Sequence, residues 1–452
     1  MSLYFSLGEE LLNGILGGIY EGSLMLVLGH PGAGKTTFAS KIIYENCSKY
    51  NVKGVYISLA ESKDKFYTFM KNIGMDFKSL EDRKLFEFIH IPTLSGEELL
   101  EAVTKLIGNK LLNEGYSIVV VDPITPILNI LPVSRVRSYL HATIYSLINA
   151  LKGIVILIAD LPYGTESIDL KELEFIADSV FVFKTKIKRG LIARYVEIRK
   201  FRGKEIPMAE IPFTILKGCG LKVLASPPLE DIPLLTIGQS FTAKCVEMVW
   251  SVIPRGTYIG LLTEKQTPSS TQWLLLLQLI KENNLSIGIV SFRLPSVEMR
   301  HLIESLSRLL KTKVDDIMKR LIFVSSYNPS SLSIHELIGS IRVNVDQDPD
   351  ILLLHGVEML YLYYGERIVD RMLRDLALYV RRKGVILFEM CSGIYSKLQL
   401  PRYSIVHITY TDERGDMYHK IYRNTPIVIE DKIIGLKPII INDDNLIKCL
   451  SP

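Results

Sequence analysis

The sequence has few of the features that mark secreted, membrane-spanning or disordered proteins. Its 452 residues include 5 cysteines, and none stands in a C-x-x-C pair, so we expect neither a disulfide framework nor a zinc site. No apolar run is long enough to span a membrane, and no basic segment followed by an apolar stretch opens the chain, which favours a cytoplasmic protein. The thiols are therefore expected to be reduced: Cys47, Cys219, Cys245, Cys391 and Cys449.

A large excess of one charge is also absent. Lys plus Arg minus Asp plus Glu is 53 − 49 = +4, a balance that neither requires nor excludes nucleic acid. Hydrophobic residues make up 48% and charged residues 23%, as in globular proteins. The length favours two or three domains.

One segment is specific enough to predict a ligand. Residues 29–36 read Gly-His-Pro-Gly-Ala-Gly-Lys-Thr, the pattern G-x-x-x-x-G-K-[ST], between an apolar strand pattern at 24–28 and a helical pattern from Thr37. In such a loop the backbone N–H groups converge on an anion, the lysine reaches the outer phosphates and the Thr hydroxyl binds Mg²⁺. The predicted nucleotide contacts are Gly29, Pro31, Gly32, Ala33, Gly34, Lys35, Thr36 and Thr37.

Apolar β-rich runs alternate with helical patterns, which predicts an α/β fold with mainly parallel sheets flanked by helices. Residues 218–233 contain Cys219-Gly220 and Pro227-Pro228 and interrupt this alternation, so we expect a linker there. The predicted domains are 1–225, with the phosphate-binding loop, and 231–452.

The second half repeats the first at an offset near 234 residues, because residues 253–257 resemble residues 19–23. The repeat places Ser269 opposite Lys35, and His355 where the first half has Asp122 at the end of an apolar run. Since the glycines, the lysine and the acidic residue are missing, we expect no nucleotide in the second half.

Several segments of the first half together resemble one family, the KaiC and RadA branch of the RecA-like ATPases. They are residues 17–23, the loop at 29–36, 56–62, 119–122, 161–164, 176–180 and 197–203. The resemblance implies two RecA-like domains in tandem, the second degenerate, and ATP with Mg²⁺ as cofactors. It also implies a homo-oligomer with ATP at subunit interfaces.

Two acidic residues are candidates for roles in ATP hydrolysis, one in binding magnesium and one in catalysis. Asp122 ends a strand pattern, where a carboxylate faces the ligand crevice of an α/β sheet, so it is expected to hold magnesium; the alternative is a helix N-cap. Hydrolysis needs a group that orients water. The family's catalytic glutamate position is Ala60 here, and Glu61 follows it. We expect Lys35 and Glu61 to be catalytic, with slow hydrolysis; the alternative for Glu61 is a first-turn helix acid.

Two basic residues, Lys200 and Arg202, lie two apart in a strand pattern and so share a face. The resemblance implies that they act on ATP held by a neighbouring subunit; the alternative is a solvated strand face. In the second half, a provisional alignment puts Arg423 at the place of Lys200 and Thr425 at the place of Arg202.

The two loops that grip single-stranded DNA in RecA-like proteins differ in charge here. Residues 131–138 include Arg135 and Arg137, whereas residues 160–169 include three acidic residues and no lysine or arginine. This charge pattern weakens a DNA-binding interpretation. The favoured hypothesis is a slow ATPase whose nucleotide state controls oligomerisation or partner binding. The alternatives are a recombination accessory protein that binds single-stranded DNA and a nucleotide-sensing scaffold without turnover.

Overall fold

The computed structural model divides the chain into two compact units, Met1–Ala225 and Ser226–Pro452, called here the first and second unit. It describes residues 4–91, 96–130, 153–161, 171–233, 235, 240–264, 269–393, 402–424, 427–429, 432–434 and 438–451. Within these residues no helix combines the length and the apolar character needed to cross a membrane.

The elements of the first unit alternate between strands and helices. Its strands are β1 (Tyr4–Phe5), β2 (Ile19–Tyr20), β3 (Ser23–Gly29), β4 (Gly54–Ser58), β5 (Phe86–His90), β6 (Ile118–Asp122), β7 (Ile154–Asp160), β8 (Ser179–Lys188), β9 (Leu191–Phe201), β10 (Glu210–Leu216) and β11 (Gly220–Val223). Its helices are α1 (Glu10–Leu16), α2 (Lys35–Tyr50), α3 (Lys63–Asn72), α4 (Phe77–Asp82), α5 (Gly96–Leu112), α6 (Thr125–Ile130) and α7 (Lys171–Ile176).

Strand β3 lies at the centre of a nine-stranded sheet of order β11-β10-β9-β8-β3-β7-β6-β4-β5. The strands from β8 to β5 in this order pair in parallel, whereas β9, β10 and β11 are antiparallel additions. Side chains alternate along β3: Leu24, Leu26 and Leu28 enter one core cluster and Met25 and Val27 the other. A strand buried on both faces has the continuous apolar pattern seen in the sequence.

The second unit repeats this arrangement with its own core. Its strands are β12 (Ser240–Phe241), β13 (Ile253–Pro254), β14 (Tyr258–Thr263), β15 (Ile287–Ser291), β16 (Leu321–Ser326), β17 (Ile351–His355), β18 (Ile386–Ser392), β19 (Ile405–Thr411), β20 (Met417–Arg423), β21 (Ile427–Ile429), β22 (Lys432–Ile434) and β23 (Ile439–Asn442). Its helices are α8 (Lys244–Trp250), α9 (Ser270–Asn283), α10 (Ser296–Leu309), α11 (Val314–Met318), α12 (Ile334–Val345), α13 (Glu358–Tyr364), α14 (Glu366–Arg382) and α15 (Asp443–Leu450).

Both units have the same strand order across the shared part of the sheet. The second sheet runs β16-β15-β17-β18-β14-β19-β20-β23, and its first seven strands correspond in turn to β5-β4-β6-β7-β3-β8-β9. The two small antiparallel pairs β1-β2 and β12-β13 also correspond. The predicted class, α/β with two mainly parallel sheets flanked by helices, is confirmed.

Two expectations about the connections were wrong. Part of the predicted linker is sheet: Gly220–Val223 pairs with β10, and Val223 is buried in the core of the first unit. The hairpin is stable there because its apolar side chains leave water. In addition, Cys245 and Cys449 form a disulfide between α8 and α15. The remaining cysteines, Cys47, Cys219 and Cys391, are free thiols.

Candidate functional site

The phosphate-binding loop joins the end of β3 to the start of α2, as the sequence predicts. A side chain at Gly29 would meet the carbonyl oxygen of Phe183 at 2.4 Å, so only glycine fits beside β8. Gly32 has a φ of +76° and no heavy atom within 4 Å of where a Cβ would be. The N-cap of α2 is Gly34, without a side-chain capping bond. The first-turn N–H groups of α2 are therefore available to an anion.

Lys35 lies beneath this loop and is only 6% exposed. Its Nζ donates to the carbonyl oxygens of Gly29, at 2.8 Å, and His30, at 2.9 Å. The third contact is an ion pair with Asp160, whose Oδ1 lies 2.9 Å from Nζ. A buried ammonium group needs such partners because removing it from water is costly.

Thr36 and Asp122 meet at the same edge of the sheet. The Thr36 hydroxyl donates to Asp122 Oδ2 at 2.7 Å, and the Tyr56 hydroxyl donates to the same oxygen at 2.5 Å. Burial raises the pKa of Asp122 above its ordinary value, while these two hydrogen bonds and the charge of Lys35 act in the opposite direction. The carboxylate does not cap a helix, because α6 begins three residues later, at Thr125.

These residues fit a nucleoside triphosphate with Mg²⁺. A hydroxyl and a carboxylate in contact are oxygen donors of the kind that Mg²⁺ takes alongside phosphate oxygens. The turn at Gly32 is open to solvent, and the N-terminus of α2 has no side-chain cap. The backbone N–H groups of both can therefore donate to phosphate oxygens. In the second unit, Ser269 and His355 stand at the places of Lys35 and Asp122, so neither the cation nor the carboxylate is present there.

Glu61 lies near the same edge, and its hydrogen bond and ion pair are with Ser58 and Lys65. Its N–H donates to the Ser58 hydroxyl at 2.8 Å, and Ser58 pairs in register with Asp122 across β4 and β6. The Glu61 carboxylate is 3.8 Å from the Lys65 amine and about one-third exposed, at 34%. Ala60 presents only a methyl group and is exposed. Ser58 positions this turn, and nothing in the sequence singled it out.

Lys200 and Arg202 make their polar contacts within their own unit, and the Arg202 side chain is 50% exposed. Lys200 Nζ donates to the carbonyl oxygens of Glu174 and Phe175, at 2.9 and 3.0 Å. Arg202 pairs with Asp178 at 3.0 Å and donates to the Phe175 oxygen at 3.2 Å. The expectation that both lie on one strand was wrong, since β9 ends at Phe201. Burial and the charge of Arg202 lower the pKa of Lys200.

Asp160 is a site residue that the sequence did not indicate beyond its negative charge. It ends β7 and pairs in register with Gly29, which places its carboxylate on Lys35. The register between two strands that are far apart in the sequence cannot be determined from one sequence alone, so this contact could not be predicted. The other DNA-loop candidates, Arg135, Arg137 and residues 162–169, lie outside the described residues.

The second unit has different chemistry at each corresponding position. Ser269, at the place of Lys35, is buried, and its hydroxyl has no hydrogen-bond partner among the residues that the structure describes. His355, at the place of Asp122, lies 3.2 Å from the Ser291 hydroxyl, and burial lowers its pKa to about 4. The Ser291 hydroxyl accepts from the Leu294 N–H, as Ser58 does from Glu61, so a leucine replaces the acid. Register puts Ser392 at the place of Asp160.

The provisional alignment of the basic pair was wrong by one residue. The Asn424 N–H donates to the Ser404 oxygen as the Arg202 N–H does to Asp178. Asn424 therefore matches Arg202, and Tyr422 matches Lys200. Arg423 instead donates to the carbonyl oxygens of Trp250 and Val252, and Thr425 lies outside the described residues. The second unit has neither member of the pair.

A loop of this kind after the central strand of a mostly parallel sheet, with a carboxylate at the end of the next strand but one, defines the P-loop class of domains. Comparison with known proteins is more specific. Residues 7–227 match the family model described as "ATPase: KaiC". The first unit is a KaiC-like ATPase domain of the RecA superfamily.

Individual relatives match stretches of the chain of similar length. The circadian clock oscillator protein KaiC of Thermostichus vulcanus is 27% identical over 220 residues, which is 45% of this chain and 41% of the relative. The circadian clock protein KaiC3 of Synechocystis sp. is 28% identical over 228 residues, 48% of this chain and 44% of the relative. The chain thus spans about two fifths of the length of these relatives.

Proposed function

We propose that the first unit binds ATP with Mg²⁺ and hydrolyses it slowly, and that the bound nucleotide controls assembly or the binding of a protein partner. The observation that carries the proposal is the convergence of Lys35, Thr36 and Asp122 beside an uncapped helix N-terminus. The second unit, with Ser269 and His355 at the equivalent places, is proposed to be structural or regulatory.

The proposed roles follow from the chemistry of each group. The N–H groups at the start of α2 and the Lys35 amine hold the phosphates, because both are donors aimed at one anion. Thr36 and Asp122 supply the oxygens for the metal ion. The chemistry supplied by bound Mg²⁺ is neutralisation of charge on the β- and γ-phosphate oxygens.

Slow hydrolysis is proposed because Ala60 cannot polarise water and Glu61 is turned toward Lys65. We expect the Glu61→Gln variant to lower kcat at least about tenfold while keeping the affinity for ATP within about twofold, because it removes the base and no phosphate contact. Phosphate release under single- and multiple-turnover conditions measures this.

A matched control for this variant is Glu101→Gln. Glu101 forms an exposed ion pair with Lys105 of the same i, i+4 geometry as Glu61 with Lys65, but it lies on α5. Its phosphate release should equal that of the wild type. An unchanged rate in Glu61→Gln contradicts the catalytic role. A wild-type rate no higher than that of Lys35→Ala leaves a scaffold that only binds nucleotide.

The proposal further includes a homo-oligomer in which Lys200 and Arg202 act on ATP bound by a neighbouring copy. They lie beside Phe175, a large apolar side chain that is 70% exposed. To reach a neighbour, Lys200 must give up its two backbone carbonyl contacts, and Arg202 must give up one carbonyl contact and its ion pair with Asp178. The ion pair is inexpensive to exchange because the Arg202 side chain is 50% exposed. An ATP-dependent interface would supply the replacement partner.

We expect the double variant Lys200→Ala, Arg202→Ala to lose about tenfold in turnover and to lose ATP-dependent assembly while still binding ATP. Light scattering with and without ATP measures the mass, and calorimetry measures binding. Lys186→Ala, Lys188→Ala is the control, since it also removes two basic side chains two residues apart, here on β8. A wild type that stays monomeric at saturating ATP argues against the role in trans.

A further inference from the structure

The amine of Lys35 has all three of its hydrogens engaged by the protein itself. Its acceptors are the carbonyl oxygens of Gly29 and His30 and the carboxylate of Asp160, all within 2.9 Å. An ammonium group has three donors and no acceptor. No donor is left for a phosphate oxygen unless one of these partners withdraws.

Of the three partners, Asp160 is the one that can withdraw. The two carbonyl oxygens belong to the loop, whose conformation is fixed by Gly29 packed against Phe183. The Asp160 side chain is 39% exposed, whereas Lys35 is 6% exposed. The carboxylate can turn into water at little cost, while the buried amine cannot follow it.

We propose that Asp160 sets the affinity of the first unit for nucleoside di- and triphosphates by competing with their phosphate oxygens for Lys35. This inference rests on the proposed function of the same site. Carboxylate and phosphate oxygens are the same class of acceptor for an ammonium group. After displacement, Asp160 is a negative charge close to the phosphates, and its repulsion weakens binding further.

The second unit offers an internal comparison. Where Lys35 is replaced by Ser269, the residue in register with Asp160 is Ser392, so both charges are missing there together. The aspartate is thus present in the unit that has a lysine to occupy and absent from the unit that has none. If an acidic residue at this strand end had a role unrelated to the lysine, the second unit would be expected to keep an acid in place of Ser392.

The test compares Asp160→Asn with the wild type in the ligand-free chain that contains both units. Asparagine keeps the shape of the side chain and removes its charge. We expect the variant to bind the β,γ-imido analogue of ATP about fivefold more tightly by calorimetry, with a smaller gain for ADP, since the lysine of such a loop reaches the β- and γ-phosphates. Asp160→Glu should retain the wild-type affinity, because it restores the charge.

The matched control is Asp82→Asn, which also removes an aspartate paired with a lysine, Lys78, but on the surface of α4. Its affinities should equal those of the wild type. If the wild type binds neither nucleotide, the proposed function fails. If it binds both and Asp160→Asn binds no more tightly, the competition proposed here is wrong while the function stands. Unchanged affinity with reduced turnover would also overturn it and make Asp160 a catalytic group.

Discussion

Replacing Lys35 with alanine should weaken ATP binding at least about a hundredfold, because truncating one partner of a desolvated, charge-assisted contact removes the contact and leaves the phosphate charge uncompensated. The loss is larger than for an exposed lysine since Lys35 is buried and already oriented by the Gly29 and His30 carbonyl oxygens. Asp160 would then face the phosphates without its cation. Isothermal calorimetry with Mg-ATP measures the change.

Two further variants separate binding from folding in this experiment. Lys35→Met keeps most of the buried volume and should bind as poorly as Lys35→Ala. Lys78→Ala removes an exposed lysine that pairs with Glu81 and Asp82, and it should bind ATP like the wild type. Melting curves without nucleotide identify any variant that fails to fold. Tight binding by a folded Lys35→Met protein is incompatible with the proposed site.

The second large effect concerns the core of the second unit. The Arg402 side chain is 2% exposed and bridges two acids: its guanidinium lies 2.7 Å from Asp370 and 2.5 Å from Glu389. The hydroxyl groups of Tyr258 and Tyr403 also donate to Glu389. Removing one member of a buried ionic cluster leaves the others desolvated and unpaired. We expect Arg402→Ala to lower the free energy of unfolding by about 3–5 kcal/mol.

Tryptophan fluorescence can measure this loss in the second unit alone. The chain has two tryptophans, Trp250 and Trp273, and both lie in the core of the second unit. Urea unfolding followed at these residues is therefore blind to the first unit. Arg414→Ala, in an exposed turn, is the control and should shift stability by less than about 0.5 kcal/mol. A similarly small shift for Arg402→Ala would show that the cluster contributes little.

The local part of the site was predictable from the sequence. A strand, a glycine-rich turn and a helix follow one another at residues 23–50, and their geometry depends on neighbouring residues, so Lys35 and Thr36 could be placed. The repeat in the second half could also be predicted, because it depends on a local pattern: residues 253–257 resemble residues 19–23. Both sheets then take the same strand order, since similar apolar patterns pack in similar ways.

The features that sequence reasoning missed depend on contacts between distant segments. Asp160 meets Lys35 only through the register of β3 and β7. The second-half counterparts of Lys200 and Arg202 were misplaced by one residue. The β8–β9 ladder shifts register between Val180 and Phe181, whereas β19–β20 pairs continuously. An extra residue at a bulge shifts every later position, and residue counting along a single chain does not detect it.

The disulfide between Cys245 and Cys449 joins residues 204 apart in sequence. It therefore closes nearly the whole second unit into a covalent ring. In the chain-entropy description, a ring of this size restricts the unfolded state by roughly 5 kcal/mol at 25 °C. A single backbone cut inside it would open the ring without releasing a fragment, so the severed halves of this unit would migrate together until a reductant separated them.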